Sequence, residues 1–308
     1  MLSNRQPTFR QLQLIRALAQ YKNISAVAEK LHISQPSVSI QLKNLSELVE
    51  LPIYHSRGKQ IELTDAGQQL LRTADEIFSS LTNMQVALDD LKGLQSGSLK
   101  ICVVSTAKYF LPLILGPFCK KHPKIDVNLQ IGNRQQVMER LNANLDDFYI
   151  FSHCPERADI IAKPFLDNEL VVVAPKRHEL VGMDNISLAR LSHYPFILRE
   201  HGSGTRQSIT QFLDSHKIKL SEKMTIESNE AIKYTVAAGL GLSILSRHTL
   251  DYGHVPGLVK LKVKGFPIKN QWHLVQRKDR QTSRLARAFE QFMQEQGIEN
   301  LLSSNYQG

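Results

Sequence analysis

The sequence predicts a chain in three parts: a small helical head closed by a two-strand wing, a long helix, and a larger α/β domain. Three observations carry that prediction. Short helix-period runs, each opened by a Thr, Asn or Ser, fill the N-terminal stretch and lead to a basic turn centred on Gly58. Apolar residues then recur at alternating steps of four and three from Leu70 to Leu91. Beyond them, short apolar runs alternate with helical ones, the pattern of a layered α/β architecture. The boundaries read as 1–64 for the head, 65–95 for the helix and its hinge, and 96–308 for the α/β domain.

The bulk properties agree. The chain has 308 residues, 42% hydrophobic and 22% charged, which suits a soluble globular protein with more than one core. Its net charge is +9, shared between the head, with eight Lys/Arg against four acids, and the α/β domain; the long helix is net acidic. A basic head suits a polyanion and a basic α/β domain suits a small anion, although a solvated lysine-rich surface explains part of the excess. Cys102, Cys119 and Cys154 have no paired spacing, so neither a disulfide framework nor a zinc site is expected, and a reducing cytoplasm is the expected compartment. Met1 to Arg10 lacks a secretory apolar stretch, and no apolar run is long enough to cross a bilayer.

In the head, Thr8 caps a first helix with Phe9, Leu12, Ile15, Leu18 and Ala19 on one face. Asn23 or Ser25 caps a second, Ala26 to Leu31. After the turn His32-Ile33-Ser34, a third helix begins on the Ser34 cap, with Pro36 in its first turn, and runs to Leu45. Val38, Leu42 and Leu45 face inward. Ser34, Gln35, Pro36, Ser37, Ser39, Gln41 and Lys43 are left to a surface of small hydrogen-bonding groups, which is what reading base edges in a major groove requires. Leu51 to Thr64 reads as the wing, with Arg57 and Lys59 flanking Gly58 to meet phosphate or minor groove. The whole is a winged helix-turn-helix. Ser25-Ala26-Val27-Ala28-Glu29-Lys30-Leu31-His32-Ile33-Ser34-Gln35-Pro36-Ser37-Val38-Ser39 resembles the helix-turn-helix of LysR-type regulators, and Leu63-Thr64-Asp65-Ala66-Gly67 resembles the end of their wing.

Leu70, Ala74, Ile77, Leu81, Met84, Leu88 and Leu91 form a heptad seam. So narrow a seam wants a partner helix; the alternative is packing on its own domain. The resemblance implies pairing between subunits, as a homodimer or homotetramer, through Leu70, Ile77, Leu81, Met84, Leu88 and Leu91. Gly93 to Ser98 reads as the hinge.

In the α/β domain, Leu99–Val104, Ile125–Ile131, Asp147–Phe151, Glu169–Ala174, Phe196–Leu198 and Leu242–Leu245 read as strands, with helices near Tyr109–Cys119, from Arg134, Gly204–His216 and Ala231–Ala238. Ligands of such sheets bind outside the carboxyl ends of strands. Four strand-to-helix turns therefore form the candidate effector site: Ser105, Thr106, Ala107 and Lys108; Asn133 and Arg134; Arg199, Gly204, Thr205 and Arg206; Asn229 and Glu230. Lys108, Arg134, Arg199 and Arg206 would face an anion, and a guanidinium fork suits carboxylate or phosphate.

Val104 to Pro112, Gly132-Asn133-Arg134, Asn144-Leu145-Asp146-Asp147, Phe196 to Glu200, Gly202 to Arg206, Ser228 to Lys233 and Gly265 to Ile268 resemble the CbbR subgroup of LysR-type regulators, activators of Calvin-cycle (RuBisCO) operons in autotrophic bacteria. The resemblance implies an effector domain of two Rossmann-like subdomains, as in periplasmic binding proteins, spanning about 96–165 with 268–308 and about 166–267. It also implies promoter DNA and RNA polymerase as partners. The implied effector is a phosphorylated metabolite such as ribulose bisphosphate or phosphoglycolate, with nucleotides a further class, and no covalent cofactor is expected. His201 and Ser56 depart from the subgroup's pattern and leave effector and operator preference open. A solute-binding protein is a rival reading that the head argues against, and so is a regulator of another metabolic operon. An enzyme is a third rival, but Gly202-Ser203-Gly204-Thr205 lacks the nucleophile-elbow spacing, and neither a Walker A nor an H-E-x-x-H motif occurs, so no catalytic residue is expected.

Overall fold

The computed structural model describes residues 6–57, 60–91, 97–298 and 301–302. It divides into two compact units, Met1–Gln85 and Val86–Gly308, parted within the longest helix.

Three helices make the head: α1 (Phe9–Tyr21), α2 (Ile24–Lys30) and α3 (Gln35–Val49). Thr8 opens α1 through a reciprocal capping box with Gln11. Asn23, rather than Ser25, caps α2 by accepting from the Ser25 and Ala26 amides, so that helix starts before the expected Ala26. Leu12, Ile15, Leu18, Val27, Val38, Leu42 and Leu45 form the core, whereas Phe9, expected to face inward, is 58% exposed. His32 takes the left-handed turn (φ 53°) that redirects the chain into α3. The wing strands β1 (Tyr54–Arg57) and β2 (Gln60–Leu63) pair antiparallel, and the Ile61 amide donates to the Lys22 carbonyl at 2.9 Å, rooting the wing on the end of α1. Gly58 and Lys59 lie outside the described residues, as does the Arg57 side chain.

The long helix α4 (Asp65–Leu91) starts on the Thr64 hydroxyl, which accepts from the Gly67 amide. Its first half belongs to the head. Ala74 is buried there, with Leu70, Ile77 and Phe78 packed around the same core. Arg16 on α1 holds Asp75 at 2.8 Å and lies 4.8 Å over the Phe78 ring. For this half, packing on the chain's own domain is what the structure shows. Leu81, Met84 and Leu88 are 39%, 53% and 47% exposed; the Leu91 side chain and most of the expected hinge (residues 92–96) lie outside the described atoms. Gly97 and Ser98, expected in that hinge, already belong to a strand.

The second unit is built on a seven-stranded mixed sheet. Its strands are β3 (Gly97–Val104), β4 (Ile125–Gly132), β5 (Phe148–Phe151), β6 (Ile160–Pro175), β9 (Ser243–Ser246), β10 (Leu258–Lys260) and β11 (Ile268–Arg277), and β7 (Pro195–Arg199) pairs with β8 (Ser221–Ile226) beside it. The helices are α5 (Leu111–Lys121), α6 (Arg134–Asn142), α7 (Leu188–Leu191), α8 (Gly204–Ser215), α9 (Asn229–Ala237), α10 (His248–Asp251) and α11 (Arg284–Glu295). In one lobe β3 lies parallel to β4 and β5, with cores on both faces around Phe110, Phe118, Trp272 and Phe289, and around Val137, Tyr149 and Val275. In the other lobe β7 and β8 are parallel, with cores around Leu170, Phe196 and Leu242, and around Ile197, Ile232 and Val236. The antiparallel pair β6 and β11 runs through both lobes, so the chain crosses over and returns. β8, β10, β11, α7, α10 and α11 were not expected.

Gly67 is the tightest point of the head: a Cβ there would lie 2.0 Å from the Ile53 carbonyl oxygen. An Ala ordinarily favours a helix interior by about 1 kcal/mol over Gly, but overpacking against backbone costs about 1–3 kcal/mol. Gly67→Ala is therefore expected to lower head stability, read as a lower urea midpoint by far-UV circular dichroism. An unchanged or raised midpoint would show that the Ile53 turn yields freely.

His248 packs 5.2 Å from Phe110 and parallel to Tyr252, its Nε2 2.9 Å from the Asp167 carbonyl. Burial pulls its pKa down to about 4. The unfolded chain takes up this proton near pH 6.5, before the fold does, so the group's contribution is complete above pH 6.5 and falls away as the pH drops toward 4. Stability against urea, read from the fluorescence of the sole tryptophan, Trp272, is expected to fall between pH 7 and 5 more steeply in the wild type than in His248→Gln.

Candidate functional site

On the head, Ser34 caps α3 by accepting from the Ser37 amide at 3.3 Å. Val38, Leu42 and Leu45 are fully buried, which turns Gln35, Pro36, Ser39 and Lys43 to solvent with Ser37 and Gln41 half-buried between them. Lys43 stands 3.7 Å from Glu47 in a pair exposed to solvent. Asn44 and Ile40 share the exposed surface of α3. On the wing, His55 and Glu62 face each other across the strands at 3.6 Å.

In the second unit, five strands aim their carboxyl ends at one cleft. β3 delivers Ser105 and Thr106, β4 delivers Arg134, β5 delivers Ser152, β7 delivers Arg199 and Glu200, and β8 leads to Asn229. Ser203, Gly204 and Thr205 open α8 on the opposite wall. The cleft is nearly shut, with about 10 Å³ left inside, room for one water at most. A larger opening of about 480 Å³ lies elsewhere on the unit, against Val171, Lys262 and Phe266. Its charged groups, Asp184 and Lys262, already satisfy each other at 2.8 Å in open solvent.

Arg199 is 3% exposed. Its guanidinium donates to both Glu200 oxygens at 2.7 and 2.9 Å, to Asn229 Oδ1 at 2.8 Å, and to Ser105 Oγ at 3.4 Å. Asn229 in turn donates to Thr106 Oγ1 at 3.1 Å. These bonds tie the second lobe to the 3-10 turn Ser105–Tyr109 of the first. Alongside, Glu230 accepts from Tyr109 at 2.6 Å and pairs with Lys108 at 2.9 Å. Burial by itself would raise the Glu230 carboxyl, but the Tyr109 hydroxyl and Lys108 ammonium outweigh it and hold it at about 2. Lys233, fully buried, donates to the Thr249 and Gly253 carbonyls at 3.0 and 2.6 Å under the Tyr109 ring, and burial draws its ammonium down.

The expected site residues thus separate by role. Ser105, Thr106, Arg134, Arg199, Gly204 and Thr205 meet at the cleft. Ala107 is buried beneath it, and Asn133 spends its side chain capping α6. Lys108 and Glu230 neutralise each other, and Arg206 turns to Glu222 at 2.6 Å, away from the cleft lining. Arg134 alone of the four expected cations has no carboxylate partner among the described residues. It donates to the His153 carbonyl and lies 5.4 Å over the Phe151 ring, and burial pulls its guanidinium down from its ordinary value. Facing it, Ser203 begins α8 without a side-chain cap, leaving the first amides of that helix to the cleft. Gly204 permits the approach: a Cβ there would come within 3.1 Å of Ser152 Oγ. Ser152, Glu200 and Ser203 also line the cleft; the last two lie within the expected turn from Arg199 to Arg206 without being singled out, and Ser152 was not expected at all. Ser152 follows a fully buried strand, so the strand-end rule could have found it.

No group of His, Cys, Asp and Glu among the described residues could hold a metal, and no described helix is long and apolar enough to cross a membrane.

A winged head whose third helix exposes small hydrogen-bonding side chains, joined by a long helix to a two-lobed unit with a polar cleft, defines a DNA-binding regulator of the ligand-responsive kind. The chain belongs to the LysR family. Residues 9–68 match the lysR-type bacterial regulatory helix-turn-helix and residues 92–297 the LysR substrate binding domain. It is 42% identical to the HTH-type transcriptional activator CmpR of a Synechocystis strain, over 92% of this chain and 93% of that one. It is 40% identical to the RuBisCO operon transcriptional regulator of Acidithiobacillus ferrooxidans, over 95% of each. The regulatory domain of Synechocystis CcmR, solved in complex with 2-PG, is 40% identical and superposes with a TM-score of 0.61 over 64% of this chain and 95% of that one. Full-length CbnR complexed with its target DNA shares the fold at 21% identity, TM-score 0.57, over 93% and 98%.

Arg199 behaves as a strut rather than a free anchor. Arg199→Ala would strand the Glu200 carboxylate, which is 15% exposed, beside the cleft. Breaking a buried pair from one side costs about 3–5 kcal/mol, so a large fall in the urea midpoint of Trp272 fluorescence is expected. A variant as stable as the wild type would contradict the strut.

Proposed function

We propose that this protein is a promoter-binding transcriptional activator of CO2-fixation genes, switched by a compact phosphorylated acid bound between the lobes of its second unit. The observation that carries the ligand class is Arg134: a half-buried guanidinium without a carboxylate, facing an uncapped helix start and the hydroxyls of Ser105, Ser152 and Thr205. That is a seat for one phosphate or carboxylate group. A nearly closed cleft favours a ligand as small as 2-phosphoglycolate over ribulose bisphosphate or a nucleotide, each of which would have to part the lobes further. Relatives alike over more than nine-tenths of this chain are named for the RuBisCO operon, and one related regulatory domain was solved with 2-PG, which supports the same reading.

On the DNA side, Gln35, Ser37, Ser39 and Gln41 would read base edges, while Ser34, Pro36, Lys43 and the wing residues Arg57 and Lys59 would set the helix against phosphates. The exposed row Leu81, Met84 and Leu88 is the surface on which two copies would pair, as a dimer or a tetramer of two dimers. The setting is the bacterial cytoplasm, with RNA polymerase as the further partner.

Two measurements test this together. Gel retardation at moderate salt is expected to show preference for a CO2-fixation promoter fragment over bulk DNA, with migration altered by 2-phosphoglycolate. Arg134→Gln is expected to weaken 2-phosphoglycolate binding about 10- to 100-fold, the worth of a charged hydrogen bond, while leaving DNA binding without ligand intact. Unaltered titrations in that variant would take Arg134 out of the site.

A further inference from the structure

Three of the four cations around the cleft are already neutralised, each by its own carboxylate: Lys108 by Glu230, Arg206 by Glu222, and Arg199 by Glu200. Of these carboxylates only Glu200 lines the cleft itself. It occupies both prongs of the Arg199 fork, at 2.7 and 2.9 Å, in the planar geometry a phosphate or carboxylate ligand would take. Arg199 is held in place from behind by Asn229 and Ser105, so it would remain aimed at the cleft if Glu200 let go.

We propose that Glu200 is the residue that determines ligand specificity in this cleft, an internal carboxylate that withholds Arg199 as a second phosphate anchor and so restricts the site to ligands with one phosphate group. Arg134 and the α8 start seat one phosphate. A second phosphate at the far end would need a second forked cation and would instead meet the Glu200 carboxylate, a like charge with little water around it to screen the repulsion. An uncharged tail meets no such repulsion, and the single charge of a carboxylate tail meets less of it than a doubly charged phosphate does, while the hydroxyls of Ser105 and Thr106 can donate to it.

This inference rests on the effector reading above. The test is calorimetric titration of the full-length protein with 2-phosphoglycolate, which carries one phosphate, and with ribulose 1,5-bisphosphate, which carries two. The wild type is expected to favour the monophosphate. Glu200→Gln keeps an oxygen for Arg199 but removes the charge; it is expected to tighten ribulose bisphosphate by about tenfold or more while moving 2-phosphoglycolate by less than about threefold. Adding Arg199→Gln to that variant should abolish the gain, which separates a freed anchor from a general loss of negative charge. Glu222→Gln, which removes a carboxylate outside the cleft lining, should leave the preference as in the wild type. If Glu200→Gln does not fold, Glu200→Asp, whose shorter arm loosens the fork, should shift the preference the same way by a smaller factor. Equal gains for both ligands, no gain in a folded variant, or a gain that survives the loss of Arg199 would overturn the proposal. A wild type that binds neither ligand overturns the effector reading and this inference with it, whereas a wild type that binds 2-phosphoglycolate with an unmoved preference in Glu200→Gln overturns this inference alone.

Discussion

A guanidinium taken out of water must be met by acceptors on nearly every N–H, or the fold that holds it loses several kcal/mol. Arg199 stands under that constraint at the end of β7, and the acceptors it finds come from three separate places: the next residue, the start of α9, and the 3-10 turn of the other lobe. Because Ser105 and, through Asn229, Thr106 belong to the far lobe, satisfying one buried charge also draws the lobes together. The cleft is narrow for the same reason that Arg199 is affordable. Gly204 completes the closure from the opposite wall by having no side chain to hold Ser152 away.

The charge pattern follows. A closed polar cleft with several unpaired cations would repel itself open, so Lys108, Arg199 and Arg206 are each matched by a nearby carboxylate, and Tyr109 and Lys108 hold the Glu230 carboxyl at about 2. Of the four expected cations, Arg134 is left without a carboxylate partner among the described residues, over the Phe151 ring and donating to the His153 carbonyl. Coulomb attraction at a site this dry is strong and its sign is unambiguous. In the reading proposed above, an anion would gain most at Arg134 and at the α8 amides across from it, and these lie on opposite lobes. Binding that bridges them favours the closed arrangement over any open one by the difference in contacts, which is how a small ligand can bias a two-lobed unit.

The head was legible almost residue by residue because its signals are local. Caps, a proline in the first turn of α3 and the spacing of Val38, Leu42 and Leu45 each specify backbone within a few positions. Phe9 was misplaced since one turn of helix at the very edge of a core has solvent on the face that periodicity alone calls inner. In the α/β unit the buried strands β3 and β5 showed as apolar runs, but β11, with Lys269, Asn270, Gln271 and His273 among its residues, hides its role because it spans two lobes and alternates between them around a bulge. The site was legible as a set of strand ends. Its division of labour was not: whether Arg199, Lys108 or Arg206 faces a ligand depends on Glu200, Glu230 and Glu222, the last of these on a strand the sequence did not reveal.

The long helix shows why one heptad pattern can carry two jobs. Its first half is core: Ala74 has no exposed surface, Leu70 and Ile77 pack on the head, and Arg16 clamps both Asp75 and Phe78 from α1. That half cannot turn without turning the groove-reading helix with it. In its second half, Leu81, Met84 and Leu88 leave three large side chains substantially in water, a cost of roughly 1 kcal/mol each that burial would recover. A helix is stiff over this length, since every backbone bond runs along its axis. Whatever covers Leu81 and Met84 would therefore bear on the rotation of the buried half, and through it on the orientation of α3 within the head. In the promoter-binding reading proposed above, where operator half-sites are read at a set helical spacing, a change of packing along this exposed row would alter which spacing fits, without any rearrangement inside the head itself.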